Sequence, residues 1–303
     1  MDKEWRQQDG NHIVERGDDD YPELLERIAS PPDQLHIKGD PGLLLMPSLA
    51  IVGSRNPTES GRRNAYEFAH HLGAAGFCIV SGLAEGIDTA AHRGALDAGA
   101  ATVAFLGHGI DRVYPASNLD LAHEIAEHGA LASEFPLGTH PHKSLFPQRN
   151  RLISGISLGT LVVEAARRSG SLITARCAGE QGREVFALPG SIHNPLARGC
   201  HKLIRQGAKL VETADDIVAE LAPLSAHLAQ NSLESTTHKA PPEIDDDEYR
   251  HLKKHLGHDP VSIDELARNS GLTIDQVSSM LLILELQGEV ESLSGGRYSL
   301  LGR

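Results

Sequence analysis

The chemistry of the chain is densest in Lys143-Ser144-Leu145-Phe146-Pro147-Gln148-Arg149-Asn150-Arg151, which mixes three cations with an aromatic ring and side-chain amides. Cations neutralise phosphates, and a ring gives a base a surface to stack on. The competing reading puts Phe146 in the core and spends Arg149 or Arg151 on an internal ion pair, with Glu164 or another acid; Lys143 then stays free. Three glycine-punctuated loops add further candidates: Gly53-Ser54-Arg55, Ser81-Gly82-Leu83-Ala84-Glu85-Gly86, and Pro189-Gly190-Ser191. Such loops expose backbone N–H groups to anions where a helix begins, and Arg55 adds a planar fork suited to phosphate. Gly170-Ser171-Leu172-Ile173-Thr174 offers N–H and hydroxyl donors at another expected helix start. None of these segments is a Walker A loop or a strict G-x-G-x-x-G fingerprint.

Catalytic chemistry finds little support. His108, His123 and His128 have no evident nucleophile, and His140 and His142 flank Pro141 without converging partners. Asp88 and His92 stand four apart on one expected helix face, where a structural hydrogen bond between them is the expectation. Cys78, Cys177 and Cys200 share no metal-like spacing, which fits a reducing, cytoplasmic setting. No catalytic residue, metal or cofactor is therefore expected. The first twenty residues lack an apolar core, so no secretory signal is expected, and no stretch is long and apolar enough to span a membrane.

The net charge of −13 over 303 residues argues at first against a nucleic-acid partner. Its distribution argues the other way. Between Lys143 and Lys209 eleven basic residues face only Glu164, Glu180 and Glu184, a net of +8 that leaves −21 for the rest. Acidic runs at Asp18–Asp20 and Asp245–Glu248 carry much of that remainder. Screening confines each field to about 8–10 Å, so a local basic surface binds phosphate whatever the total.

The elements that must position these residues follow from apolar runs, each leading into Gly or Pro and then a helical pattern. Leu49–Val52, Phe77–Val80, Ala101–Phe105, Leu161–Val163 and Glu184–Leu188 read as buried parallel strands. Helices are expected near 60–75, 87–98, 118–127 and 171–181. The predicted fold is α/β, an extended Rossmann-like doubly wound sheet over 46–221. Residues 1–45 read as a short helical segment and 222–243 as a flexible linker. Residues 244–303 read as a winged helix: helices at 249–256, 261–269 and 274–287, then a hairpin. The third of these helices carries acids and no Lys or Arg, which predicts weak DNA binding by that module.

The runs AIVGSRNPTESG, IVSGLAEGIDTAAHRGAL, FLGHGIDRVYPASN, FPQRNRLISGIS, VVEAARRSGSLITARCAGEQGREVFALPG and LIRQGA, in this order, resemble the DNA-processing protein A (DprA/Smf) family over residues 51–208. The resemblance implies a homodimeric protein that binds single-stranded DNA without sequence preference and loads the recombinase RecA during natural transformation. Its DNA contacts would fall on Gly53, Ser54, Arg55, Gly82, Lys143, Phe146, Arg149, Asn150, Arg151, Gly170, Ser171, Thr174 and Lys202. Two departures stand out. Ala116 and Ser117 occupy a motif where many members have Lys, and Gly199-Cys200-His201-Lys202 replaces Gly-Thr-Asn. A rival comes from Ser157-Leu158-Gly159-Thr160-Leu161-Val162-Val163-Glu164. It resembles the Gly-Gly-x-Gly-Thr-x-x-Glu segment of lysine-decarboxylase-like nucleoside-monophosphate phosphoribohydrolases, in which the Glu assists cleavage. Here Ser157 and Leu158 replace the leading glycines and remove backbone freedom beside a phosphate.

Overall fold

The computed structural model describes residues 2–221 continuously and parts of 224–300. It divides into two compact units, 1–229 and 230–303. The larger is built on one nine-stranded sheet. In chain order its elements are α1 (Asp2–Arg6), β1 (Asn11–Glu15), α2 (Glu23–Glu26), β2 (Gln34–Gly39), β3 (Ser48–Val52), α3 (Glu59–Ala74), β4 (Cys78–Ser81), α4 (Ile87–Asp97) and β5 (Thr102–Phe105). There follow α5 (Leu119–His128), β6 (Ala130–Ser133), α6 (Leu145–Ile156), β7 (Gly159–Val162), α7 (Ser171–Glu180), β8 (Glu184–Ala187), α8 (Arg198–Arg205) and β9 (Lys209–Leu210). The strand order is β1-β2-β6-β5-β4-β3-β7-β8-β9. The strands from β6 across to β9 run parallel. β2 joins β6 antiparallel, and β1 joins β2 antiparallel.

Alternation along each strand sorts side chains onto two faces. In β3, Ala50 and Val52 pack with Leu152, Ile153 and Ile156 of α6, while Leu49 and Ile51 pack with Phe68 and Leu72 of α3. In β6, Ala130 and Ala132 face the α6 side and Leu131 packs with Leu121 and Ile125 of α5. Helices thus cover both faces, which is why the central strands read as continuous apolar runs. From β3 the chain steps outward through β4 and β5 to β6, then returns across β3 to β7. Between β3 and β7 the strand order reverses, and the loops leaving them diverge to open a crevice.

Residues 1–45 differ from the helical lead-in expected of them. The helical pattern at Leu24, Leu25 and Ile28 yields only the four-residue α2, and the flanking segments supply β1 and β2. β2 gains its place in the sheet from β6, over ninety residues away, and β1 pairs with β2; no local pattern announces the long-range pairing. The segment belongs to the sheet and is no separate piece.

In the smaller unit, α9 (Ile263–Ser270) ends at Gly271 with φ of 72°, the left-handed cap expected of a helix-turn. β10 (Val261–Ser262), β12 (Arg297–Leu300) and β11 (Val290–Leu293) form a three-stranded sheet in that order, β11 and β12 being the expected hairpin. The helices expected at 249–256 and 274–287, and the linker over 222–243, lie largely outside the described residues. Among the described residues no helix is long and apolar enough to cross a membrane.

Candidate nucleic-acid interface

At the carboxyl ends of β3, β4 and β7 the loops are laced together. The Glu164 carboxylate accepts from the Thr58 N–H at 2.8 Å, the Thr58 hydroxyl at 2.7 Å and Asn194 Nδ2 at 3.2 Å. It thereby ties the loops after β3, β7 and β8 into one edge. Thr58 in turn caps α3 by accepting from the Gly61 N–H. Gly86, at φ of 84°, brings the second loop against the first: a Cβ there would lie 2.4 Å from the Ser54 carbonyl oxygen. The Ile87 N–H donates to that same oxygen at 3.1 Å.

Above this edge runs a groove of about 600 Å³. Of the residues anticipated from sequence, Gly53, Ser54, Arg55, Lys143, Phe146, Arg149, Asn150, Gly170, Ser171 and Thr174 all line it. Lys143 and Arg55 are exposed, Asn150 is half-buried with Nδ2 3.5 Å from the Gly170 carbonyl, and Gly170 leads into α7. No acid sits in the first turn of α7, so its N–H groups face the groove without a local counter-charge. Phe146 is half-buried and reaches the groove wall, with the Arg55 guanidinium 5.4 Å from its ring centre.

Four anticipated residues take other roles. Arg149 is 4% exposed. Its Nη1 donates to the Gly82 carbonyl at 2.7 Å and to the Phe105 carbonyl, and its guanidinium lies 6.0 Å from the Phe146 ring centre. Burial pulls its pKa down to about 10, against the opposing pull of Asp88. Its Nη1 and Nε, the latter donating to Asn150 Oδ1 at 3.3 Å, are engaged inside the fold. Gly82 is the glycine that makes room for it: a Cβ at 82 would sit 2.6 Å from Arg149 Nη1. Arg151 pairs with Glu134 at 2.5 Å, both side chains three-quarters or more buried, and does not line the groove. The internal-pair reading thus holds for Arg151, with Glu134 rather than Glu164. Lys202 lies in a neighbouring groove of about 650 Å³ between α7 and α8, with Arg167, Arg168 and Arg176 on its rim. The two grooves share Arg168, Ser169, Gly170 and Ile173.

The basic stretch is therefore partly consumed within the fold. Arg149 and Arg183 hold backbone carbonyls, and Arg151, Arg176 and Lys209 pair with acids. Lys143, Arg167, Arg168, Arg198, Lys202 and Arg205 are exposed and have no ion-pair partner among the described residues.

The expected Asp88–His92 hydrogen bond does not form. Asp88 accepts instead from the Gly82 and Ala84 N–H groups at 3.1 and 3.3 Å. His92 Nδ1 meets the Thr102 hydroxyl at 2.7 Å. That hydroxyl already donates to the Ile79 carbonyl, so Nδ1 carries the proton. Burial holds the His92 pKa at about 3. The Pro189-Gly190-Ser191 loop lines neither groove; Gly190 meets His201, whose Nε2 lies 3.0 Å from the Gly190 carbonyl. Sequence reasoning did not single out Tyr114 or Arg168, both of which line the groove. Tyr114, an exposed aromatic before a proline in a polar loop, was the readable signal.

Known proteins match this chain over most of its length. The family model DNA recombination-mediator protein A covers residues 12–222, and the DprA winged helix domain covers 236–296. The chain is 40% identical over 293 residues to Protein Smf of Escherichia coli K12, spanning 96% of this chain and 78% of that one. It is 46% identical over 203 residues to DNA processing protein DprA of Streptococcus pneumoniae, spanning 67% and 72%. The crystal structure of the S. pneumoniae DprA superposes with a TM-score of 0.68 at 44% identity, covering 72% of this chain and 76% of that one. A structure of DNA processing protein A from Helicobacter pylori, described for its single-stranded DNA binding mode, gives 0.64 at 29% identity, covering 70% and 96%. With both family models matched in order along the chain and the relatives alike over most of its length, the chain belongs to the DNA-processing protein A family.

Proposed function

We propose that this chain binds single-stranded DNA in the groove over β3 and β7 and serves as a recombination mediator. The observation that carries the reading is the groove at the point where the strand order reverses, lined by Arg55, Lys143, Arg168 and Phe146, with the Arg55 guanidinium 5.4 Å from the Phe146 ring centre. Exposed cations of this kind hold a phosphate backbone, and the ring accepts an unpaired base, which a duplex does not offer. The H. pylori relative, described for its single-stranded DNA binding, supports the choice of ligand.

The test is fluorescence anisotropy of labelled oligo-dT over a salt series. With about four phosphates neutralised, log K falls against log salt with a slope near −3. Arg55→Ala with Lys143→Ala flattens that slope by about 1–2. A salt-independent affinity overturns the reading. The finer role follows the family resemblance: a cytoplasmic homodimer that protects incoming strands and delivers them to RecA. RecA-dependent ATP hydrolysis on single strands at limiting RecA, with and without the chain, tests delivery; sedimentation tests the dimer.

In this reading the chain carries no catalytic chemistry. Glu164, the acid of the phosphoribohydrolase-like alternative, is 7% exposed and accepts three hydrogen bonds that hold the loops. Incubation with nucleoside monophosphates should release no free base.

A further inference from the structure

We propose that Asp111 is the positioning residue for the outer wall of the strand groove, locking together the two loops that carry Tyr114 and Lys143. The inference rests on the single-stranded DNA reading and says how the free chain keeps that groove in shape. Tyr114 and Lys143 both line the groove, yet neither belongs to a helix or strand. Tyr114 lies in the loop after β5, and Lys143 in the stretch from 134 to 144 between β6 and α6. Lys143 is exposed and has no ion pair of its own among the described residues, so the backbone around it decides where its charge lies.

The Asp111 carboxylate joins these two loops. One oxygen, Oδ1, accepts from the Gly138 N–H at 2.8 Å. The other accepts from Arg112 Nη2 at 2.7 Å, and Arg112 Nη1 donates to His140 Nδ1 at 2.9 Å. The Gly109 N–H donates to the Thr139 carbonyl at 3.0 Å and closes the same seam. Two glycines make the seam possible. A Cβ at 109 would lie 2.5 Å from Asp111 Oδ1 and 2.7 Å from the Pro136 carbonyl oxygen. Gly138 has a φ of 84° in a turn closed by the Thr139 N–H on the Pro136 carbonyl, a conformation that suits glycine. Partial burial works against the charge on Asp111, but Arg112 and the Gly138 N–H outweigh it and hold the carboxyl below its ordinary pKa. The acceptor is therefore ionised at neutral pH, and hydrogen bonds to a charged acceptor are the stronger kind.

A cation held over the groove meets an arriving phosphate at once, whereas one on a wandering loop must first be ordered, which weakens binding. The seam supplies that order ahead of the strand. On its other side Tyr114 rests against Phe146, with ring centres 5.8 Å apart. One carboxylate thus steadies both the aromatic and the cationic part of a single wall. None of these groups reads a base edge, so the brace serves a strand of any sequence.

The experiment is anisotropy of oligo-dT over a salt series with the full chain, for Asp111→Ala, Lys143→Ala and the two combined, each below its melting range. Lys143→Ala should flatten the slope by about 0.7, one phosphate's share on a single strand. Asp111→Ala should flatten it by a comparable amount although Lys143 is present, and the combined variant by no more than Lys143→Ala alone. Asp111→Asn, whose amide oxygen still accepts from the Gly138 N–H, should restore most of the slope. A loss of stability alone would lower the melting temperature and leave the slope as it is. A parental slope for Asp111→Ala, or losses that add in the combined variant, overturns the bracing role and leaves the strand reading standing. A parental slope for Lys143→Ala overturns the strand reading at Lys143 and the brace with it.

Discussion

Replacing Arg149 by Met separates a residue that shapes the groove from one that touches the strand. Met keeps much of the aliphatic volume and removes the guanidinium. Two buried carbonyls, those of Gly82 and Phe105, lose their donor, and Asp88 loses its counter-charge. Breaking a buried charge network from one side costs about 3–5 kcal/mol. For a unit of this size that lowers the melting temperature by roughly 6–20 °C. The loss should depend on pH. Burial already raises the Asp88 pKa, and Arg149 is the foremost influence holding it down. Without Arg149 the folded-state pKa rises further above the unfolded value of about 3.9. Below that value the carboxyl is protonated in both states, and the added penalty vanishes. As pH climbs from there, the unfolded chain ionises more readily than the folded one, so the variant's deficit grows. Calorimetry at pH 4 and pH 7.5 should therefore show the smaller deficit at pH 4. Below its melting range the variant should keep the parent's salt slope for oligo-dT. A variant that melts within about 1 kcal/mol of the parent, yet loses about 0.7 from its slope, would show that Arg149 contacts phosphate.

Three further outcomes follow from the same geometry. His92 is buried and neutral with its pKa held at about 3, so its contribution is complete above the unfolded value of about 6.5 and is lost as pH falls toward 3. His92→Gln should make the acid limb of a stability–pH curve shallower, by up to about 1.4 kcal/mol per pH unit. Glu164→Ala leaves the Thr58 N–H and hydroxyl without their acceptor and should cost about 1–3 kcal/mol in urea unfolding, with Glu164→Gln costing less. Gly94→Val should destabilise by about 1–3 kcal/mol, because a Cβ at 94 would lie 2.2 Å from the Tyr66 carbonyl where α3 and α4 touch. A melting curve superimposable on the parent's would contradict that close approach.

The central sheet was legible because its strands are buried on both faces. Leu49–Val52 and Ala101–Phe105 announce themselves as apolar runs followed by glycine or by a helical pattern. β6 did not, since Ala130-Leu131-Ala132-Ser133 is made of small residues without β-branching. No element was expected over 143–155, although α6 occupies most of it; Pro147 sits in the first turn, where a helix tolerates it. Residue types pointed correctly to Arg55 and Lys143 as exposed cations in the groove. They set Lys143 apart as the free cation but left Arg149 and Arg151 open between groove and interior, because burial depends on what α6 packs against. Arg149 turns into the space left by Gly82, and Arg151 turns toward Glu134. Both relationships join segments distant in sequence.

The antiparallel attachment of β2 to β6 sets an order of events during synthesis. β1 and β2 emerge early, but His36 and Ile37 cannot find Ser133 and Ala132 until another hundred or so residues have followed. The front of the chain is thus among the later parts of the sheet to close, since long loops must form before such pairings reward them. A chain shortened to begin near residue 46 would retain every residue of the strand groove. It would also leave β6, four buried residues without a charge among them, as a bare edge open to pairing with other chains. The first forty residues act as a built-in guard for solubility, and their removal should appear as aggregation before it appears as lost affinity.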